Sequence, residues 1–223
     1  MTAIRVPLPA RSRPPQRSTD PIRVALVNPE ITSTPLPELS LAYLSAYLRA
    51  DGGADVRVFD ANARPDGNTG VIRDLDVFKP DVVGATAGYS ANHTQYVEFL
   101  EMLASLSPRP FVVVGGNHAT NLPLPFLLDQ RANVVAIGEG ELTLADIAGR
   151  LATGRDWRAV PGIAWIEEDG ETLRQTASRP VIADLDSLPF PAFDLLPYDY
   201  YRSVERLVPT MLYRGSVESW FIQ

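Results

Sequence analysis

The 223-residue chain is 45% hydrophobic and 21% charged, an ordinary balance for a globular protein with an ample core. A formal net charge of -7 and a pI near 4.9 argue against nucleic acid as the main partner, because neutralising phosphates takes a basic face. The absence of cysteine removes disulfides, thiolate zinc sites and cysteine-held iron–sulfur clusters, and His93 and His118, the only histidines, do not make a multi-histidine metal site.

The leader over 1–21 carries Arg5, Arg11, Arg13 and Arg17 among prolines, with no acid before Asp20 and no apolar run of signal-peptide or membrane-spanning length. It reads as a disordered tail on a cytoplasmic protein without a membrane partner. From Ile22 the pattern changes. IRVALVNP is a β-branched apolar run closed by Asn28-Pro29 and predicts a buried strand. Leu41, Leu44 and Leu48 share a helical face ahead of Gly52-Gly53, where a left-handed C-cap is wanted. ADVRVFD predicts a second strand, and Val71, Ile72, Leu75 and Phe78 a short helix stopped by Pro80. DVVGATA, a third strand, precedes a helix from about Ala91 with Tyr96, Leu100, Leu103 and Leu106 inward. PFVVVGG is a fourth strand, a short helix covers Pro123 to Leu128, NVVAIG is a fifth strand, and a helix runs from Glu141 to about Leu151.

Apolar strands alternating with helices over 22–155 predict an α/β domain with a five-stranded parallel sheet covered on both faces, doubly wound in the flavodoxin-like, Rossmann-type manner. The order 2-1-3-4-5 places a switch point between the first and third strands, so a ligand is expected over the C-terminal strand ends. Over 156–197, GIAWIEEDGETLRQT holds Asp169-Gly170, a two-residue hairpin signal, and reads as an appendage. DLDSLPFPAFDLLP reads as a proline-punctuated linker that straps onto something, its Leu and Phe residues too apolar for free coil.

The strand-end loops carry the candidate binding residues. After the first strand, NPEITSTPLPE offers Asn28, Pro29 and the hydroxyls of Thr32, Ser33 and Thr34, without the glycines that favour a flavin phosphate. Asn28 and Thr86 stand where a phosphate-accepting receiver would need acids. TAGYSANHT offers Thr86, Gly88, Ser90 and Asn92, of which Ser90 or Asn92 reads equally well as a cap of the next helix. In GGNHAT, Gly115 and Gly116 let a bulky ligand lie against the backbone, and His118 either donates to a phosphate or carboxamide or is a surface histidine on a turn. GEGELT places Gly138, Glu139, Gly140 and Glu141 at the end of the fifth strand, without the third glycine of a dinucleotide fingerprint. Three glycine-bearing loops on one sheet edge point to a large, flat ligand.

With VVVGGNHATNLPLPFLLD, VVAIGEGELTLADIA, the hairpin and DLDSLPFPAFDLLP in this order, the stretch from Ile22 to Gly215 resembles the N-terminal cobalamin-binding domain of the cobalamin-dependent radical S-adenosylmethionine enzymes. The resemblance implies a corrinoid contacted by the four loops just described. The Asp-x-His-x-x-Gly motif of the methionine synthase and mutase type is absent, so the implied form is base-off cobalamin with no protein histidine on cobalt. In the family the segment after the linker enters a barrel at Arg-Gly-Cys, where Cys-x-x-x-Cys-x-x-Cys holds a four-iron cluster. TMLYRGSVESWFIQ aligns there and puts Ser216, Trp220 and Gln223 at the thiolate positions, so 198–223 reads as a remnant of the barrel's start and the chain as one without its own radical chemistry. Three expectations stay open: a cobalamin-binding protein, whether truncated relic or stand-alone module; a methyl-carrying corrinoid subunit completed by a separate radical S-adenosylmethionine or methyltransferase partner; and a cofactor-free flavodoxin-like interaction domain.

Overall fold

The computed structural model describes residues 20–31 and 37–205. The leader to residue 19, the hydroxyls of Thr32, Ser33 and Thr34, and the alignment through Ser216, Trp220 and Gln223 lie outside the described residues. β1 (Arg23–Asn28) buries both of its faces, with Val24, Ala25, Leu26 and Val27 each 0% exposed. α1 (Leu39–Gly52) ends on Gly53 at φ 62°, the left-handed cap that glycine adopts without steric cost. β2 (Asp55–Asp60) and α2 (Gly67–Phe78) follow. α2 stops where Lys79 N–H bonds Leu75 O at 2.8 Å and Pro80 has no N–H to continue the ladder.

β3 (Val82–Thr86), α3 (His93–Met102) and β4 (Phe111–Gly115) continue the alternation. Beyond β4, α4 (Asn117–Asn121) occupies residues expected to form a strand-end loop, and α5 (Leu124–Leu127) stands where the short helix over Pro123 to Leu128 was expected. They are separate because Pro123 excludes the helical conformation from Leu122, which sits at φ -139° and ψ 70°. β5 (Val134–Ala136), α6 (Glu141–Thr153), β6 (Ile163–Ile166), β7 (Leu173–Gln175) and α7 (Tyr198–Glu205) complete the order.

Among the described residues the sheet has seven strands in the order β2-β1-β3-β4-β5-β6-β7, mostly parallel, with antiparallel pairing only at β5–β6 and β6–β7. The hairpin is therefore a continuation of the sheet, which corrects the expected appendage: Ile163 pairs with Ala136, and Ala164 with Val135. Burial explains the join, since Ile163 and Ala164 are 0% exposed and Trp165 only 8%. Its turn is also longer than two residues. Ile166 pairs with Leu173 and Glu167 N bonds Thr172 O at 2.9 Å, leaving residues 168–171 in the loop, where Asp169 accepts from the amides of Glu171 and Thr172.

Two apolar layers clasp the sheet. Ala25, Val27, Val83, Val112 and Val135 pack with Leu75, Phe99, Leu100 and Phe126 on one face, and Val24, Leu26, Val82 and Val113 with Leu41, Leu48, Ile147 and Leu151 on the other. None of α1, α2, α3 and α6 has a side-chain N-cap bond, worth about 1 kcal/mol where present. Burial, at about 1.5–3 kcal/mol for each large apolar side chain, outweighs that loss and holds the helices.

After β7 the chain runs back across the molecule. Arg179 reaches Thr143 Oγ1 at 3.2 Å and pairs with Asp146, Ile182 N bonds Glu139 Oε2 at 2.7 Å, and Ala192 N bonds Ala42 O at 3.0 Å. With Arg49 paired to Asp194 at 2.9 Å, this strap delivers α7 to the ends of β1 and β2. Among the described residues, no helix is long and apolar enough to cross a membrane.

Candidate functional site

A cleft of about 140 Å³ lies between the C-terminal half of the sheet and helices α1 and α6. Leu26, Gly84, Ala85, Thr86, Val113, Gly115 and Ala136 form the sheet side; Ser40, Leu41 and Leu44 come from α1, and Glu141 and Leu144 from α6. The space exists because β3 carries glycine at its centre. A Cβ on Gly84 would stand 2.9 Å from Leu26 Cδ2 and 3.6 Å from Leu144 Cδ2, closing the floor. Glycine inside a strand marks a place where another group approaches the backbone. At Gly115 a Cβ would meet only Ala136 Cβ at 3.9 Å, so that wall has room.

Of the residues singled out from sequence, Thr86, Gly115, Gly116, Gly138, Gly140 and Glu141 line this cleft. Gly116 is glycine for a different reason from the one expected. At φ 104° its Cβ would lie 2.8 Å from Ala87 O, so the close approach there is made by the chain's own backbone. Ala87 N bonds Gly115 O at 2.7 Å, and Ala87 O receives His118 N at 3.0 Å. A Cβ on Gly88 would meet nothing within 4 Å, so the loop after β3 is open at that point.

The other candidates are held by the protein itself. Asn28, 6% exposed, donates Nδ2 to Asp60 Oδ1 at 3.2 Å, and Pro29 O accepts from Asn62 Nδ2 at 2.9 Å. The Glu139 carboxylate anchors the strap at Ile182 N. Ser90 and Asn92 do not cap α3: Asn92 stands at the N-cap without a side-chain bond, and Ser90 Oγ lies 3.0 Å from His118 Nδ1. His118 is not a surface histidine. It is 6% exposed, and its Nε2 meets His93 Nδ1 at 2.9 Å, with Phe126 edge-on to both rings. Burial first, and neighbouring His93 second, hold the His118 imidazole below its ordinary pKa, so it is neutral at neutral pH. Ser90 and His93, which lead into and open α3, are thereby tied to His118 on α4.

Sequence reasoning passed over Ser40 and Gly84. Gly84 did carry a signal, a lone glycine inside an apolar strand run; Ser40 carried none. It also passed over Asp60, which sits 8% exposed at the end of β2 and gathers Asn28, Asn62 and the Tyr201 hydroxyl.

Residues 32–148 match the family described as the B12 binding domain. The chain belongs to the B12-binding domain family. Among curated proteins it is similar to an uncharacterized methyltransferase of Pyrococcus horikoshii, 33% identical over 174 residues that cover 78% of this chain and 37% of that protein. It is also similar to the cytidylyl-2-hydroxyethylphosphonate methyltransferase of Streptomyces wedmorensis, at 31% identity over 82% of this chain and 42% of that protein. The chain thus spans less than half the length of either relative. Among solved structures, its fold is similar to the cobalamin-dependent S-adenosylmethionine radical enzyme OxsB with aqua-cobalamin and S-adenosylmethionine bound, with TM-score 0.68, 24% identity, and coverage of 79% of this chain and 25% of that one. The radical S-adenosylmethionine methyltransferase TsrM of Kitasatospora setae, with cobalamin and an iron–sulfur cluster bound, gives TM-score 0.61 at 22% identity over 78% of this B12-binding chain and 32% of TsrM. This B12-binding domain therefore shares its fold with parts of OxsB and TsrM, and its 223 residues contain no cysteine.

Proposed function

We propose that this chain holds cobalamin with the corrin ring over the C-terminal ends of β1, β3, β4 and β5 and the nucleotide tail in the cleft beside α1 and α6. The observation that carries the reading is Gly84, a strand-interior glycine whose Cβ would fill the floor of an apolar slot open at the strand ends. Leu26, Leu41, Leu44, Val113 and Leu144 would wall a flat heteroaromatic base away from water, while Ser40, Thr86 and Glu141 offer polar atoms at the lining. In this reading residues 22–155 carry the cofactor, and residues 156–197 supply the hairpin that extends the sheet and the strap.

The bound form is base-off, with no histidine of this chain on cobalt. In support, the loop after β1 has no histidine, and His93 and His118 are bonded to one another beside Phe126. Cobalamin supplies a cobalt that accepts and releases a methyl group. The role of the chain's own residues is to bind and orient the corrinoid and to shield its tail. The thiolates of a radical S-adenosylmethionine cluster would come from outside these 223 residues.

The test is an absorption titration of the purified protein with hydroxocobalamin, followed by gel filtration. Co-elution with a base-off spectrum is the expected result. Protein and corrinoid that elute apart at every ratio would leave the cofactor-free interaction domain as the better description.

A further inference from the structure

We infer that Tyr201 on α7 is a positioning residue for the loop after β1, acting through a buried phenol–carboxylate latch on Asp60. The inference rests on the proposed placement of cobalamin over the C-terminal end of β1. Tyr201 is 3% exposed and donates its hydroxyl to Asp60 Oδ2, a partner 141 positions away in the chain. The other carboxylate oxygen, Asp60 Oδ1, receives Asn28 Nδ2 at 3.2 Å, the Asn62 amide at 2.9 Å and Asn62 Nδ2 at 3.2 Å. Asn62 then grips the loop at two points, donating Nδ2 to Pro29 O at 2.9 Å and accepting from Ile31 N at 2.8 Å through Oδ1.

The chain of causes runs from α7 to the loop. A buried carboxylate keeps one orientation only while both oxygens are satisfied, and the phenol is the sole donor to Oδ2 among the described residues. Freed from Tyr201, the Asp60 carboxylate can turn, and Asn62 loses the fixed acceptor that holds it against Pro29 and Ile31. The strap fixes α7 independently through Ala192 on Ala42 and Asp194 on Arg49, both on the helix that walls the cleft. Whatever moves α7 therefore moves Pro29 and Ile31 just beyond β1, so α7 and the proposed cofactor site are mechanically linked.

Tyr201→Phe in the full chain removes only the hydroxyl. Without cofactor, amide hydrogen exchange at Ile31 and Asn62 should accelerate about tenfold or more, the scale of losing one hydrogen bond to a charged group, with exchange in Phe111–Gly115 unchanged. Hydroxocobalamin should leave the variant about tenfold faster than the wild type, and Asp60→Asn added to Tyr201→Phe should not multiply the effect, because both substitutions break one network. Wild-type exchange at Ile31, or acceleration that extends uniformly into β4, overturns the latch. Faster exchange with an unchanged cobalamin dissociation rate overturns its role in cofactor retention. A wild-type protein that retains no hydroxocobalamin would sink the proposed function and that role, while the exchange measurement still decides the latch.

Discussion

Replacing Gly84 by alanine separates the cost of filling the cleft from the cost of damaging the fold. The new Cβ would stand 2.9 Å from Leu26 Cδ2, inside van der Waals contact, and 3.6 Å from Leu144 Cδ2, which is ordinary contact. Crowding of this kind in a packed core costs about 1–3 kcal/mol. In the empty protein the Leu26 terminal methyl borders the cleft and can turn into it, and alanine regains about 0.5–1 kcal/mol of the backbone entropy that a strand glycine gives up. The expected net loss is therefore about 1 kcal/mol, or about 2–4 °C in Tm for a domain of this size. With the nucleotide tail in the cleft, Leu26 has nowhere to turn, so about 1–2 kcal/mol of strain falls on binding and hydroxocobalamin affinity drops about 5- to 30-fold. The assay pairs thermal unfolding by circular dichroism without corrinoid with an absorption titration. Affinity equal to that of the wild type would refute the cleft as the tail site, however the Tm moved.

Gly116→Ala should give the reverse balance, since its φ of 104° and a clash at 2.8 Å with Ala87 O strain the empty protein; a loss of about 1–3 kcal/mol is expected in corrinoid-free unfolding, and an unchanged Tm would contradict the close β3–β4 crossing. His118 supplies a pH dependence whose sign follows from its lowered pKa. The unfolded chain binds the His118 proton more readily than the folded one, so this contribution to stability is full above the ordinary imidazole value of 6.5 and falls as pH drops from there toward the folded value. Unfolding of His118→Gln, compared with the wild type at about pH 7.5 and about pH 5.5, should show a smaller acid loss; identical losses would mean that the buried imidazole is not what acid attacks.

Much of the architecture was legible because strands buried on both faces must be apolar throughout. IRVALVNP, DVVGATA and PFVVVGG announce themselves as continuous runs, and the helices between them as periodic ones. The fate of the hairpin was not legible. Whether Ile163 and Ala164 pair with anything depends on β5 presenting a free edge at Val135 and Ala136, and no feature local to the hairpin says so. At the candidate site, the glycine loops were found where the chain turns, but the centre of the cleft at Gly84 lies in a strand, where a glycine is easily read as a mere gap in an apolar run.

The amino-acid sequence by itself determined which segments are strands and helices and that the glycine-bearing turns gather at one sheet edge, because period, caps and the handedness of short crossovers are local properties. Only the tertiary structure decided what each polar group does there. His118 faces His93 and Ser90, Glu139 holds Ile182, and Asp60 receives Tyr201 from 141 positions away. The physical reason is that a buried polar group takes whichever donor or acceptor the packed elements bring within about 3 Å, and that neighbour is chosen by how sheet, helices and strap close on one another.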